Sequence, residues 1–404
     1  MTELDHTEDC MADNLKWMGV RRSASFLLPT RVEFGEGVSR RVGDEAAALG
    51  RRALLITDPG VRDAGIVEPL VACLAGSGVE CAQFADVEPN PRTGTADRAA
   101  AFAREHGAEL LVAVGGGSVL DTAKAASAVV SYGGTVLEYE GADQVPGPVV
   151  PVIVVPTVSG TGSEVTLWAV LTDEARKYEM ALGSRHLAAR VALVDPLLAI
   201  SVPPAATVSA GLDALCNAAE AFTARCSNAL SDALALYAIE LAARSLERTF
   251  ADGGDLEARS GMAMAGLAAG ISFGNADTAA AHSMGEALSG VYDAPHGLAC
   301  AVCLPYVMRL NLPVVTEKTA RIGQALGLPT GSQSPREAAL ATVEGIVALT
   351  RRLGVPTLRG LGATEADVPL LVSVALMNLG NPDNPVDVDE RGFTELFSEA
   401  LAEA

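Results

Sequence analysis

Hydrophobic and polar positions follow two different patterns along the 404 residues of this chain. In the first half, runs of consecutive apolar residues end at turn-forming residues, and amphipathic stretches separate the runs. Such runs are typical of buried parallel strands, and we predict strands at 53–57, 80–85, 109–114 and 149–155. The intervening periodicity predicts helices at 66–77, 95–106 and 119–130. Strands that alternate with helices indicate βαβ units around a parallel sheet.

The second half has almost no strand-like runs and is rich in alanine and leucine at helical spacing. We predict helices there at 213–224, 230–248, 256–272, 278–290 and 335–353. The Pro203-Pro204 pair marks the expected boundary between the halves. The pattern therefore predicts a flexible N-terminal arm at 1–25, an α/β domain at 26–202 and an all-α domain at 203–404. Ligands usually bind in the cleft between two such domains.

Charge and cysteine content narrow the classes of partner. A net charge of −21 disfavours nucleic acid and anionic membranes, because their phosphates would be repelled. Seven cysteines without the spacing of a disulfide framework favour a reducing cytoplasm. Cys300 and Cys303 lie in an apolar run, and no second cysteine pair exists to complete a zinc site, so we expect core residues. We expect neither a signal peptide nor a membrane span.

A glycine-rich turn after the strand at 109–114 is the first candidate for binding chemistry. Gly115, Gly116 and Gly117 let the backbone approach a phosphate, and the following helix offers free N–H groups and a positive dipole end. Ser118 is the expected N-cap of that helix, with Asp121 completing a pattern like a capping box. The alternative is a tight turn that binds nothing.

Two further features suit a dinucleotide. Asp58, at the end of the first apolar strand, can bind an adenosine ribose and would repel a 2′-phosphate, which favours NAD over NADP. The loop at 156–166 is dense in hydroxyls and glycines and suits a pyrophosphate or the nicotinamide ribose, although it could also be a turn leading into a hairpin. No G-x-G-x-x-G fingerprint is present, so the arrangement differs from the usual Rossmann one.

Two pairs of polar residues in the helical half point to a metal centre. Asp213 and Asn217 are four residues apart, as are His282 and Glu286, so each pair shares one face of a helix. Together with His296 they offer carboxylate, amide and imidazole groups from matching faces. An Asn carbonyl is a weaker ligand for Fe(II) or Zn(II) than an imidazole.

In order and spacing, these motifs resemble those of the iron-containing (group III) alcohol dehydrogenases. The resemblance extends from about residue 34 to beyond residue 305 and is carried by Thr57-Asp58-Pro59, Pro89-Asn90-Pro91, Gly115-Gly116-Gly117-Ser118, Gly211-Leu212-Asp213 and Pro295-His296-Gly297. It implies the two-domain fold of glycerol dehydrogenase and dehydroquinate synthase, with a nicotinamide dinucleotide in the cleft. The implied cofactor residues are Asp58 at the adenosine ribose, Gly116, Gly117 and Ser118 at the pyrophosphate, and Thr157, Ser159, Thr161 and Lys177 along the nicotinamide half.

The family holds its metal on one aspartate and three histidines. The matching positions are Asp213, Asn217, His282 and His296, and Glu286 stands where the family has a further histidine beside the nicotinamide. Three states of the site are open. A metal is held by the aspartate and the two histidines, with Asn217, Glu286 or water completing its shell. Alternatively the site is metal-free and His282, His296 or Glu286 donates the proton, or the pocket has lost its chemistry.

The resemblance implies hydride transfer between a primary alcohol or its aldehyde and the nicotinamide ring. We expect an aldehyde reductase of specialised metabolism, with phosphonoacetaldehyde as one candidate substrate, acting as a cytoplasmic homodimer or larger homo-oligomer. A sugar-phosphate cyclase shares the fold and is one alternative, although it would need a basic cluster for phosphate. The other alternative is a non-catalytic NAD-binding protein with a decayed metal site.

Overall fold

The computed structural model describes residues 23–403 and joins a parallel-sheet domain to a helical domain. The flexible arm predicted at 1–25 lies outside the described residues, except for its last three positions. The described strands are β1 Arg31–Phe34, β2 Arg52–Thr57, β3 Glu80–Phe84, β4 Leu110–Gly115, β5 Gly141–Ala142, β6 Val152–Pro156, β7 Trp168–Asp173, β8 Tyr178–Gly183 and β9 Val191–Val194. The predicted fold class, an α/β domain followed by an all-α domain, is confirmed.

The described α-helices fall into two groups on either side of β9. Those of the first group are α1 Val42–Ala47, α2 Pro59–Asp63, α3 Val67–Gly76, α4 Thr93–Glu105 and α5 Gly117–Tyr132. Those of the second are α6 Pro204–Thr223, α7 Ala229–Ala251, α8 Leu256–Phe273, α9 Ala280–Tyr292, α10 His296–Ala325, α11 Pro335–Arg352, α12 Val368–Ala375 and α13 Glu390–Ala402. The change from strands to helices falls between the end of β9 and the start of α6.

Six of the described strands form one parallel sheet in the order β1-β9-β6-β4-β2-β3. Strand β2 has β3 on one side and β4 on the other, so the chain reverses its direction of travel across the sheet at this point. In parallel α/β sheets, ligands bind outside the carboxyl ends of the strands where this reversal occurs. The topology therefore places a crevice at the ends of β2 and β4, which Thr57 and Gly115 occupy.

The central strands are buried on both faces, as their uninterrupted apolar sequences require. All residues from Leu110 to Gly115 and from Val152 to Pro156 are buried. A smaller sheet, β5-β8-β7, contains the antiparallel hairpin of β7 and β8 directly after the loop at 156–166. The loop therefore does lead into a hairpin, as the alternative interpretation of its sequence predicted.

The loop at 156–166 also forms a close joint with the helical domain. A Cβ on Gly160 would overlap the backbone of Ala210 in α6, and one on Gly162 would overlap the backbone of Gly270 in α8. Gly162 has φ +63°, a conformation that glycine adopts without strain. These glycines bring backbone against backbone, so the two domains meet beside the crevice without a layer of side chains between them.

Helix α10 is the longest described helix and was not among the predicted ones. It contains Pro305 and Pro313, which usually end helices, and its backbone departs from helical geometry at Val315. Its 30 residues, with a mean hydropathy of 1.7 over the most apolar 18 of them, would also suit a membrane span, but half of that apolar stretch is buried inside the fold. We interpret α10 as the central helix of the bundle, since it packs against α6, α9 and α11.

Candidate functional site

The glycine-rich turn lies at the carboxyl end of β4, as predicted, but its helix is capped differently. Gly116 is the N-cap of α5 and Ser118 lies in the first turn, so the prediction of Ser118 as N-cap was wrong. Asp121 closes no capping box. Its carboxylate instead accepts hydrogen bonds from Ser163 Oγ at 2.5 Å and from the Val170 N–H at 3.1 Å. The helix thus begins at a glycine without a side-chain cap, and Asp121 binds the helix to Ser163 and Val170.

Some of the predicted cofactor residues line the cleft and others do not. Gly117, Ser118 and Thr161 line it together, and a Cβ on Gly117 would lie 2.7 Å from the Thr161 side chain. Asp58 ends β2 beside β4, at the crevice that the topology predicts, and its Oδ1 caps α2 by accepting from the Val61 N–H at 2.9 Å. These placements are those that a dinucleotide lying across the strand ends would require.

The other predicted cofactor residues lie next to the cleft or away from it. Gly116 precedes α5, and the Thr157 N–H donates to Gly115 O at 3.0 Å. Thr157 Oγ1 is buried without a hydrogen-bond partner among the described residues, while Ser159 is half-buried in the same loop. Lys177 is exposed in the turn between β7 and β8 and does not line the cleft, so the structure does not bring it to the other predicted residues.

One cleft joins the glycine turn to the helical domain. From the helical side it is lined by all the predicted catalytic and metal residues, which are Asp213, Asn217, His282, Glu286 and His296. The helix faces predicted from the four-residue spacings therefore meet. Asn217 is buried one turn after Asp213 on α6, beside the same space.

Four candidate ligand atoms converge at the helical end of the cleft. Atoms of Asp213, His282, His296 and Cys300 all lie within 4.8 Å of one another. Asp213 Oδ1 is 3.8 Å from Nε2 of each histidine, and Cys300 Sγ is 3.8 Å from His296 Nε2. The expectation that Cys300 is a core residue was right about its burial but missed these neighbours.

Each imidazole is held by a carboxylate that the sequence did not single out. His282 Nδ1 lies 2.5 Å from Glu220 Oε2, and His296 Nδ1 lies 3.2 Å from Glu179 Oε2. An N–H at Nδ1 that donates to a carboxylate leaves Nε2 free as a ligand, which is the usual arrangement around protein metal sites. Glu220 follows Asp213 by seven residues, two turns along α6, and that spacing could have revealed it.

Two glycines allow the helices of this centre to approach. A Cβ on Gly297 would overlap Ser209 O and lie 2.8 Å from the Asp213 Cβ, so α10 begins directly against α6. A Cβ on Gly285 would lie 2.5 Å from Cys300 Sγ, which explains the absence of a side chain there on α9. The Pro295-His296-Gly297 motif is therefore a packing requirement as well as a source of one imidazole.

The turn at Pro89-Asn90-Pro91 holds the start of α10 from the other domain. Asn90 Nδ2 donates to Asp293 Oδ1 at 2.9 Å and to Ala294 O at 3.1 Å. Arg92 adds an ion pair to Asp293 at 3.0 Å. His296 is thus fixed by the sheet domain on two sides, through Glu179 on β8 and through this turn.

The residues present fit a divalent cation. Asp213 Oδ1 and His282 Nε2 are buried and have no hydrogen-bond partner among the described residues, a costly state unless a cation accepts their lone pairs. Burial lowers the pKa of His282, but Cys300, Asp213 and Glu220 outweigh it and hold that pKa well above its usual range. The surroundings of this imidazole therefore stabilise a positive charge.

Glu286 lines the cleft from α9. Burial and the neighbouring Glu179 carboxylate raise the pKa of Glu286 to about 7, although both histidines and a hydrogen bond from Asn378 oppose this. A carboxyl group with this pKa can take up or release a proton near neutral pH.

Comparisons with known proteins agree with this geometry over nearly the whole chain. The family model of iron-containing alcohol dehydrogenases matches residues 29–196, and the model of the family's C-terminal domain matches residues 207–401. The chain is 39% identical to the choline dehydrogenase of Bacillus subtilis, over 96% of this chain and 97% of that protein. It is 32% identical to the NAD-dependent methanol dehydrogenase of Bacillus methanolicus, over 93% of this chain and 100% of that protein.

A solved structure of 1,3-propanediol oxidoreductase has the same fold, with a TM-score of 0.90, 37% identity, and coverage of 94% of this chain and 100% of that one. The two family models together, the relatives and the solved structure all cover both the sheet domain and the helical domain. The protein therefore belongs to the iron-containing alcohol dehydrogenase family, whose members are NAD-dependent oxidoreductases that use a divalent metal.

Proposed function

We propose that this enzyme interconverts a small primary alcohol and its aldehyde with NAD, and that it acts as an aldehyde reductase in the cytoplasm. The observation that carries the proposal is the single cleft that joins the glycine turn of a dinucleotide site to a cluster of cation ligands. We assign the ribose to Asp58, the pyrophosphate to Gly116, Gly117 and Ser118, and the nicotinamide half to Thr157, Ser159 and Thr161.

The chain's own residues position the reactants and manage the proton. Bound NAD(H) supplies the hydride chemistry, and a bound cation supplies a Lewis acid for the substrate oxygen. Asp213, His282 and His296 would hold that cation, with their rings fixed by Glu220 and Glu179. Glu286, with a pKa of about 7, is the proposed store for the proton exchanged with the alcohol oxygen.

The lining of the cleft favours a neutral or cationic substrate. Its acidic residues are Asp121, Glu179, Asp213, Asp277 and Glu286, and no lysine or arginine is among the described residues that line it. Trp168, Tyr178 and Phe273 add aromatic faces, on which alkyl or ammonium groups pack well. A dianion such as phosphonoacetaldehyde would meet like charge, which disfavours that candidate.

The same lining argues against the two alternative functions. A sugar-phosphate cyclase needs cations at its phosphate, and the described cleft residues offer only imidazoles. A decayed site would have lost the buried, unpartnered ligand atoms that Asp213 and His282 retain.

We also propose a homodimer, since β1 leaves one edge of the described sheet open for a second copy to cover. Sedimentation velocity measures the oligomeric state.

The test compares three aldehydes of similar size and different charge, with NADH at pH 8. We expect kcat/KM for the cation betaine aldehyde and for neutral 3-hydroxypropanal to exceed that for phosphonoacetaldehyde by at least about tenfold, which corresponds to about 1.4 kcal/mol. A preference for the dianion would overturn the charge argument. Inactivity on the whole panel, with intact NADH binding, would favour the non-catalytic alternative.

A matched variant identifies the source of the preference. Burial raises the pKa of Asp277 to about 6, so its carboxylate is ionised at pH 8. Asp277 has φ +59°, which asparagine also tolerates, so Asp277→Asn removes one charge with little change of shape. We expect this variant to lower the ratio of kcat/KM for betaine aldehyde over 3-hydroxypropanal several-fold. An unchanged ratio would show that this carboxylate does not face the substrate.

A further inference from the structure

We infer that the Cys300 thiolate is the fourth protein ligand of the cation, so that the site is an Asp-His-His-Cys centre and Asn217 is not a ligand. The sulfur is fully buried and lies in the same cluster as Asp213, His282 and His296. Asp213 Oδ1 and His282 Nε2 face this cluster without a hydrogen-bond partner among the described residues. The inference rests on the proposed function only for the presence of a cation.

The spacing of the oxygen–nitrogen pairs in this cluster is that of ligands around a metal rather than that of hydrogen bonds, and the sulfur–nitrogen pair is close enough for either. Tetrahedral ligands at ordinary bond lengths to zinc are separated by about 3.3–3.6 Å. Three measured separations in the cluster are 3.8 Å, those from Asp213 Oδ1 to each Nε2 and from Cys300 Sγ to His296 Nε2. The oxygen–nitrogen pairs are too far apart for hydrogen bonds, and a small contraction around a central ion would bring all three into range.

Helical spacing places the sulfur at this position. Cys300 follows His296 by four residues on α10, so both side chains share the face that turns toward α6 and α9. Gly285 on α9 leaves the space that the sulfur occupies. Cys303 is equally buried on the same helix but does not belong to the cluster, so burial alone does not bring a cysteine to this position.

A thiolate changes which metal the site prefers. Sulfur and imidazole donors with one carboxylate favour Zn(II) over Fe(II), both by ligand softness and by the usual order of affinities. An amide oxygen from Asn217 would instead be a weak, hard donor. On binding, the thiol releases its proton to solvent and the thiolate shares its electron pair with the cation. We therefore expect purified protein to contain mainly zinc when both metals are supplied.

Cobalt(II) is the probe, because a cobalt–thiolate bond gives an intense charge-transfer absorption that oxygen and nitrogen ligands do not. The apoprotein loaded with one equivalent of Co(II) should show this band in the near ultraviolet. Cys300→Ser should abolish the band and weaken metal retention by at least about 100-fold in competition with a chelator, a loss larger than removal of an outer-shell partner causes. Cys303→Ser, the matched control, should change neither.

The unmodified protein keeps the inference testable if Cys300→Ser misfolds, and a double variant adds a separate test of the ligand set. In the Cys300→Ser background, Asn217→His offers an imidazole on the adjoining face of α6, and we expect it to restore metal retention without the charge-transfer band. Full Co(II) loading of the unmodified protein with no such band would overturn the assignment of Cys300. Since absorption and metal content need no turnover, this failure is distinguishable from a failure of the alcohol–aldehyde activity.

Discussion

Glu220 is not among the residues that line the cleft, yet its carboxylate binds both the start of α9 and the imidazole of His282. It accepts from the N–H groups of Ala279, Ala281 and His282 at 2.7–3.2 Å and from His282 Nδ1 at 2.5 Å. An amide has one acceptor oxygen in place of two and brings a donor toward these donors. We expect Glu220→Gln to lower metal affinity by about 10–100-fold, as loss of outer-shell partners does elsewhere.

Metal retention during dialysis against a chelator of known affinity measures this loss. Glu240→Gln, on the exposed part of α7, is the control and should retain metal like the unmodified protein. If Glu220→Gln retained the metal equally well, the free N–H groups of α9 would have found other partners, and the orienting role of this carboxylate would be wrong.

We propose that the charge of Asp58 determines the preference for NAD over NADP. We expect Asp58→Ser to raise the ratio of kcat/KM for NADP over NAD by at least about tenfold, because the repulsion of the 2′-phosphate disappears. Serine is also a good N-cap, so α2 should lose less than about 1 kcal/mol. Steady-state kinetics with both cofactors tests the ratio and thermal unfolding tests the cap. An unchanged ratio would place the adenosine ribose elsewhere.

At the scale of elements, the hydrophobic pattern predicted those strands and helices whose formation depends mainly on neighbouring residues. Strands β2 and β4, which are continuous apolar runs, and the less apolar β3 were predicted to within one residue at each end, whereas β6 begins three residues later than predicted. The short edge strand β1, with half-buried and exposed residues, gave no such signal, and the prolines of α10 concealed that helix. Asp213 and His282 were found by spacing, whereas Glu179 meets His296 across 117 residues, a contact that only the fold creates.

Lys124 on α5 links that helix to the segment before and at the start of β7 by hydrogen bonds. The hydrophobic pattern of the sequence did not reveal this contact. The wholly buried Lys124 amine donates to Ser163 Oγ at 2.9 Å and to Trp168 O at 2.8 Å. Burial lowers its pKa from 10.5 to about 8, against the opposing charges of Asp121 and Glu164. Between these two pH values the unfolded chain binds a proton that the folded protein has released, so the free energy of unfolding should rise with pH.

The rise contributed by Lys124 is at most about 1.4 kcal/mol per pH unit. Urea unfolding of the unmodified protein and of Lys124→Met at pH 8, 9 and 10 isolates it, because the other titrating groups are shared. We expect the unmodified protein to gain stability relative to the variant over this range. Parallel dependence on pH in the two proteins would show that the amine is solvated in solution.

For the whole molecule, the site exists only because the two domains are held together across the cleft. Asn90 joins them by donating to Asp293 and Ala294, just before His296. Asn90 has φ +48°, so Asn90→Gly removes the side chain without backbone strain. We expect this variant to lose at least about tenfold in kcat, because a small displacement of His296 is costly for catalysis, and to lose no more than about 1 kcal/mol of stability.

Asp143→Gly is the matched control, since Asp143 is exposed, has φ +56° and does not line the cleft. Both substitutions add the same flexibility to the unfolded chain, so this part of the loss in melting temperature is shared, while only Asn90→Gly also loses the amide contacts and lowers kcat. The Arg92–Asp293 pair, with Asp293 60% exposed, is too well solvated to replace the lost amide contacts. Equal kcat in the two variants would mean that Glu179 alone holds His296, and that the domains keep their alignment through the glycine joint at Gly160 and Gly162.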